Sequence, residues 1–155
     1  SEKARLDELN ITLRHVMKNI DQERQELQKA VAHKVRDILL PAVEKVDRES
    51  SPQVRKGYLD IIRDQMLTLA AGNGAEQDSR LLKLTPNEMK ICQFIQAGSS
   101  SKDIAESMSL SVETVQTHRR NIRKKLGLRG QNVNLHTFLK ASKPDAALTE
   151  TSYIG

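Results

Sequence analysis

The sequence predicts an all-α protein, an N-terminal coiled coil or helical hairpin followed by a compact group of shorter helices. Three observations predict it. Apolar residues recur three and four apart over long stretches. Serine or threonine caps, two of them followed at once by proline, stand before four of the later stretches. Aromatic residues are only 3 %, charged residues are 29 % and mean hydropathy is −0.55, so a small core must rest on Leu, Ile, Val and Met. The length of 155 residues allows one domain or two small ones.

From the N-terminus, Leu6, Leu9, Leu13, Val16 and Ile20 form an a/d seam, and Leu27 and Ala30 continue its register. Glu23 interrupts the seam at a d position and Lys34 at the next a position. The stripe then drifts to Val31, Val35, Ile38 and Ala42, an eleven-residue step from Leu27 to Ile38 that relaxes a left-handed supercoil. No entry cap is expected before the first helical residues. Residues 2–48 therefore read as one long helix whose stripe needs a partner, most simply in a parallel dimer. Pro41 lies inside it and clashes with the carbonyl of Asp37, so a kink is expected there. Ser51-Pro52 starts a second helix with Val54, Tyr58, Ile61, Ile62, Met66 and Leu69 on one face. Gly57 weakens its first turns modestly. Together these make a helical dimerisation hairpin over residues 1–70, and two hairpins would make a four-helix bundle.

Residues 71–81 read as a linker by composition, and residues 141–155 as a loose tail. The linker divides two halves of different charge. Residues 1–80 hold 14 basic and 14 acidic residues, so the whole net charge of +5 lies in residues 81–155. A localised basic surface points to a polyanionic partner.

The basic half opens on Thr85-Pro86-Asn87-Glu88, a capping-box start. Met89, Ile91, Cys92, Phe94 and Ile95 follow, and Gly98 ends that helix. Ser101 is expected to cap the next, with Ile104, Ala105 and Met108 inward. Leu110 fills the turn and Ser111 caps the last helix of the motif. On that helix Val115, Ile122 and Leu126 face inward, flanked by Asn121 and Lys125. Glu113, Gln116, Thr117, Arg120 and Lys124 lie on the opposite face. Cations near the helix end suit its dipole, but Arg119 and Arg120 lie mid-helix, beside an amide and a hydroxyl. Gln and Arg are side chains that make bidentate contacts to adenine and guanine edges. Residues 101–127 thus read as a helix-turn-helix with its second helix in the major groove of DNA.

Leu84 to Glu88, Gly98, Lys102 to Ala105, Leu110-Ser111, Thr114-Val115, His118, Asn121-Ile122 and Lys124 to Gly127 together resemble the LuxR-type (GerE-like) DNA-binding domain, over roughly residues 82–140. The resemblance implies four helices, at 86–97, 101–109, 112–127 and about 132–140. The last, with Val133, Leu135, Phe138 and Leu139, commonly helps pair two modules. It implies that Gln116, Thr117 and Arg120 read bases, and that Lys102, Thr114, His118, Arg119 and Arg123 hold phosphates, His118 equally fitting a packing role. Gln116 stands where members often have lysine, and Asn87 where they often have arginine. The first half resembles the segment that links a PAS sensor to such a domain in bacterial signal transduction.

The expected function is a dimeric, sequence-specific transcriptional regulator coupled to an upstream sensor. The expected partners are double-stranded DNA, a second copy through the N-terminal helices, and RNA polymerase. The alternative is a signalling or phosphotransfer hairpin, which it resembles in shape, with His33 as acceptor. Lys34-Val35-Arg36 after it lacks an acidic neighbour, however, and no nucleotide-binding domain follows. Catalysis is not expected. The four histidines are scattered, Cys92 sits at a core position, and no hydrolase, Walker or zinc-protease spacing occurs. No cofactor or metal is implied. A lone cysteine fits a reducing, cytoplasmic setting, in which Asn10-Ile11-Thr12 is a chance glycosylation triplet. No apolar run reaches membrane-spanning length, and the charges after Ser1 do not read as a signal peptide.

Overall fold

The computed structural model describes residues 1–72 and 78–141. Among them every regular element is helical. The tail expected at 141–155 lies outside the described residues from 142 onward.

The first helical run is unbroken from Glu2 to Arg48. It consists of α1 (Glu2–Lys34), a π-helical turn (Val35–Leu39) and α2 (Leu40–Arg48). Contrary to the expectation that no cap precedes it, Ser1 caps α1, its Oγ accepting from Ala4 N at 3.3 Å. The consequence of Pro41 appears one turn earlier than the proline itself. The wide turn ends with Leu40 N donating to Val35 O, one residue further back than in an α-helix. A π-turn holds one extra residue, and such turns are how helices absorb an inserted position.

Helix α3 (Pro52–Ala70) runs back antiparallel to α2, capped by Ser51 and opened by Pro52 as predicted. Leu39, Ala42 and Val46 meet Val54, Tyr58 and Ile62 in a buried cluster. The seam on α1 has no such cover. Leu6 is 61 % exposed and Ile20 57 %.

After a 3-10 turn (Arg80–Lys83), which begins inside the stretch read as linker, come α4 (Pro86–Gln96), α5 (Ser101–Met108), α6 (Val112–Lys125) and α7 (Leu135–Ala141). The capping box at Thr85 and Glu88 forms as expected. On α5 the cap is Ser100, not Ser101, because Ser100 Oγ reaches Asp103 N at 3.2 Å while Asp103 answers to the Ser100 N–H at 3.4 Å. Helices α4, α5 and α6 end alike, with an N–H beyond the helix returning to a carbonyl five residues back: Ser99 to Phe94, Leu110 to Ala105, and Leu128 to Arg123. Each end needs a left-handed residue. Gly98 and Gly127 supply two, but the turn between α5 and α6 uses Ser109, at φ 56°. Helix α7 begins at Leu135 rather than 132, because Asn134 Oδ1 takes the N–H groups of His136 and Thr137. A second core holds this unit together, with Leu84, Ile91, Ile95, Ile104, Ile122 and Leu139 at its centre.

Candidate nucleic-acid interface

Helix α6 is divided by burial. Val115, Ile122 and Leu126 are fully buried. Gln116, Thr117 and Arg120 are exposed and, with Val112 and Glu113, line one shallow recess on the opposite side. The side chains there are already ordered against one another. Arg120 donates through Nη2 to Thr117 Oγ1 at 3.1 Å, and Thr117 Oγ1 donates to Glu113 O at 3.1 Å. Gln116 Nε2 donates to Ser101 Oγ at 3.3 Å, tying the first turn of α5 to α6. The three residues expected to read bases therefore share one face and project from a rigid helix.

The residues expected to hold phosphates divide into two groups. Lys102, on α5, and Thr114, in the first turn of α6, are exposed, and Thr114 shares a 2.7 Å hydrogen bond with the Ser111 cap. His118 and Arg119 are half-buried at the flanks of α6. Arg123 is different. Its guanidinium donates to Val133 O at 2.6 Å, Gln131 O at 2.8 Å and Leu128 O at 3.2 Å. Those donors are turned onto the loop before α7, which Arg123 fastens. The carbonyl of Val133 is one of its acceptors, and Val133 itself precedes the helix it was expected to join.

The sequence reading placed Lys125 on a flank of the core without a partner. It reaches the buried carboxylate of Glu88, Nζ to Oε1 at 2.5 Å, and Thr85 N donates to the same oxygen at 2.9 Å. Burial alone would raise the carboxyl pKa, but the bonds from Lys125 and Thr85 outweigh it and hold Glu88 below its ordinary value. Burial pushes the Cys92 thiol up to about 12, as suits a core residue. Tyr58 was read only as part of an apolar face. A buried tyrosine needs a partner for its hydroxyl, and here O–H donates to Leu84 O at 2.7 Å.

His33, the alternative functional residue, lies far back on α1. It is exposed, with Nδ1 2.6 Å from Asp37 Oδ2 one turn on. Among the described residues no group of histidine, cysteine and carboxylates could hold a metal ion. No helix among them is long and apolar enough to cross a membrane.

The family described as "Bacterial regulatory proteins, luxR family" matches residues 82–137, which are α4 to α7 with the turn before them. Residues 82–137 are a LuxR-family helix-turn-helix domain. Relatives agree. The transcriptional regulatory protein MctR of Rhizobium johnstonii is 30 % identical over 115 residues, 74 % of this chain and 53 % of that protein. The transcriptional regulatory protein TdiR of Thauera aromatica is 40 % identical over 62 residues, 40 % of this chain and 27 % of that protein. BvgA of Bordetella pertussis, a putative positive transcription regulator of virulence factors, is 35 % identical over 74 residues, 47 % of this chain and 35 % of that protein. This chain spans about half the length of MctR and less of the others. No solved structure matches it significantly. The family match thus falls on α4 to α7, and the three relatives are named as transcription regulators.

Proposed function

We propose that this protein acts as a dimeric, sequence-specific transcriptional regulator in the cytoplasm, with α6 in the major groove of DNA. The observation that carries this is the exposed face of α6, where Gln116, Thr117 and Arg120 stand together above a fully buried opposite side. Side chains with paired donors and acceptors on a fixed helix are what base-edge readout needs. Lys102, Thr114, Arg119 and His118 flank that face and hold phosphates. The uncovered α1 seam supports pairing of two copies, since exposed Leu and Ile at heptad spacing bury themselves against the same stripe of a second helix. Residues 1–70 serve as the dimerisation hairpin, residues 71–81 connect it, and residues 82–140 bind DNA. The relatives extend well beyond the matched stretch, which leaves room for a sensor domain upstream. RNA polymerase is the further partner that such a regulator addresses.

Two symmetric modules prefer an inverted repeat, with half-sites about one turn (~10 bp) apart. Selection of duplexes from a random pool, with light scattering on the same sample, tests the reading. An enriched palindrome bound by a dimer supports it; absence of any salt-sensitive duplex binding sinks it.

The second reading, a phosphotransfer hairpin, is favoured by one contact. Asp37 holds Nδ1 of His33 on an exposed helix face. Acid-labile phosphate on His33 after exposure to a phosphodonor, lost in His33→Ala, would support it, and absence of label dismisses it.

A further inference from the structure

The hairpin and the helix-turn-helix unit are joined by more than the chain between them. Lys45 Nζ, on α2, donates to Leu82 O at 2.8 Å and Leu84 O at 3.4 Å. The same ammonium lies 5.7 Å over the ring of Tyr58, whose hydroxyl donates to Leu84 O at 2.7 Å. Gln93, on α4, donates to Gln53 O at the start of α3 at 2.8 Å. Leu82 and Met89 belong to the C-terminal unit by sequence, yet they are buried with Leu39, Ala42, Val46 and Ile62 of the hairpin. Helices α3 and α4 approach closely at Gly57. A Cβ there would stand 2.7 Å from Gln93 Nε2 and 3.1 Å from Met89 Sδ.

These contacts fall on the segment that enters α4. Leu84 is fully buried and precedes the Thr85 cap, and Glu88, one turn into α4, holds Lys125 at the end of α6. Packed apolar contacts together with hydrogen bonds to buried carbonyls leave such a seam few alternative arrangements.

We propose that this seam is a spacing gauge: Lys45, Tyr58, Gly57 and Gln93 clamp the hairpin to the helix-turn-helix unit, so that a dimer holds its two α6 helices at one separation and angle. The inference rests on the dimeric, inverted-repeat reading above. Extending the spacer between half-sites carries the second one around the duplex axis, and about 5 bp places it on the opposite face. Units on a flexible tether follow that change with little loss, because effective concentration depends only weakly on tether length. Clamped units cannot, and the second module's contribution is lost.

The test uses the full chain on inverted repeats whose spacer is lengthened from the preferred value by up to about half a turn, ~5 bp. With the seam intact, affinity should fall by about 10²-fold at the half-turn offset, the lower range of avidity lost when geometry forbids the second contact. The double variant Lys45→Met, Tyr58→Phe should fall only a few-fold while its affinity for a single half-site stays unchanged. Gly57→Leu, which wedges α3 away from α4, should do the same, and circular dichroism checks that each variant folds. An intact chain that tolerates the offset would overturn the proposal, as would variants that discriminate as sharply as the parent. A second measurement needs no seam variant. Spin labels on Leu67→Cys and Glu106→Cys, both exposed, should give one narrow intramolecular distance, Cys92 being buried from the label. A broad distribution would also overturn it. A monomer in light scattering, or no sequence-dependent binding, brings down the dimeric reading and this inference with it. A specific dimer indifferent to spacing brings down the inference alone.

Discussion

Lys125 closes α6 onto α4, its ammonium 2.5 Å from the Glu88 carboxylate, whose side chain is 4 % exposed. One bond thus sets the position of the α6 C-terminus relative to α4, on the side away from Gln116, Thr117 and Arg120. It also leaves a charge inside the protein that this lysine and the Thr85 cap compensate.

Removing Lys125 should therefore be costly. Lys125→Met is expected to lose roughly 2–3 kcal/mol, at the low end for one partner of a buried pair because the lysine is partly exposed and solvent screens it. The pH dependence follows from the direction of the Glu88 shift. Its folded value lies below the ordinary 4.5, so the stabilisation is complete above that value and is lost as pH falls through the folded one. Urea titrations between pH 7 and pH 3 should show this loss in the parent and much less of it in Glu88→Gln. Identical acid profiles would show that the pair contributes nothing.

Arg120→Ala should weaken binding to the selected site by roughly 1–3 kcal/mol and relax the preference at one base pair, with little change on random duplex. Anisotropy titration on both duplexes decides it. An equal loss on both would make Arg120 a phosphate contact. The Arg120–Thr117 bond adds a finer expectation, that Thr117→Val frees the guanidinium and blunts the same preference.

Arg119 and Arg123 should part company although they lie one turn apart. Arg119→Ala should reduce the slope of log affinity against log salt by about 0.9, the signature of one phosphate contact. Arg123→Ala should leave the slope nearly unchanged and instead raise amide exchange across residues 128–133, where three carbonyls lose their donor. A slope change for Arg123 equal to that of Arg119 would refute the loop-fastening role.

Ser109 holds φ 56° in the turn between α5 and α6, a conformation that glycine adopts without steric cost. Relief of that strain amounts to about 1–2 kcal/mol, less the added freedom of glycine in the unfolded chain. Ser109→Gly should therefore raise the unfolding midpoint slightly with DNA affinity unchanged. A lower midpoint would mean that the serine hydroxyl matters more than the backbone.

Ile20, exposed in the middle of the α1 seam, is the sharpest probe of pairing. Ile20→Glu puts like charges opposite each other in a parallel coil and should convert the dimer to monomer by light scattering. Loss of affinity for the full palindrome, with single half-site binding retained, should accompany it.

Much of the DNA-binding unit was legible from spacing. The cap at Thr85, the inward triad Val115, Ile122 and Leu126 and the outward Gln116, Thr117 and Arg120 all follow from a 3.6-residue period, which local sequence controls. The role of Arg123 was not legible. Whether a guanidinium meets a phosphate or a carbonyl depends on where a loop ten residues later folds back. The π-turn was not legible: the eleven-residue step and Pro41 marked the region between Leu27 and Ala42, but an eleven-residue step fits an ordinary α-helix and calls for no wider turn.

Local pattern alone decided the helices, their caps, the basic face of α6 and the uncovered seam of α1, because each depends on residues within a turn or two of one another. Tertiary structure alone decided the joints. Tyr58 with Leu84, Lys45 with Leu82, Glu88 with Lys125 and Gly57 beneath Gln93 pair groups that lie 26 to 37 residues apart in the chain. No periodicity records such pairs, since a buried polar group states in sequence only that it needs a partner, and the packing of the helices selects which one it gets.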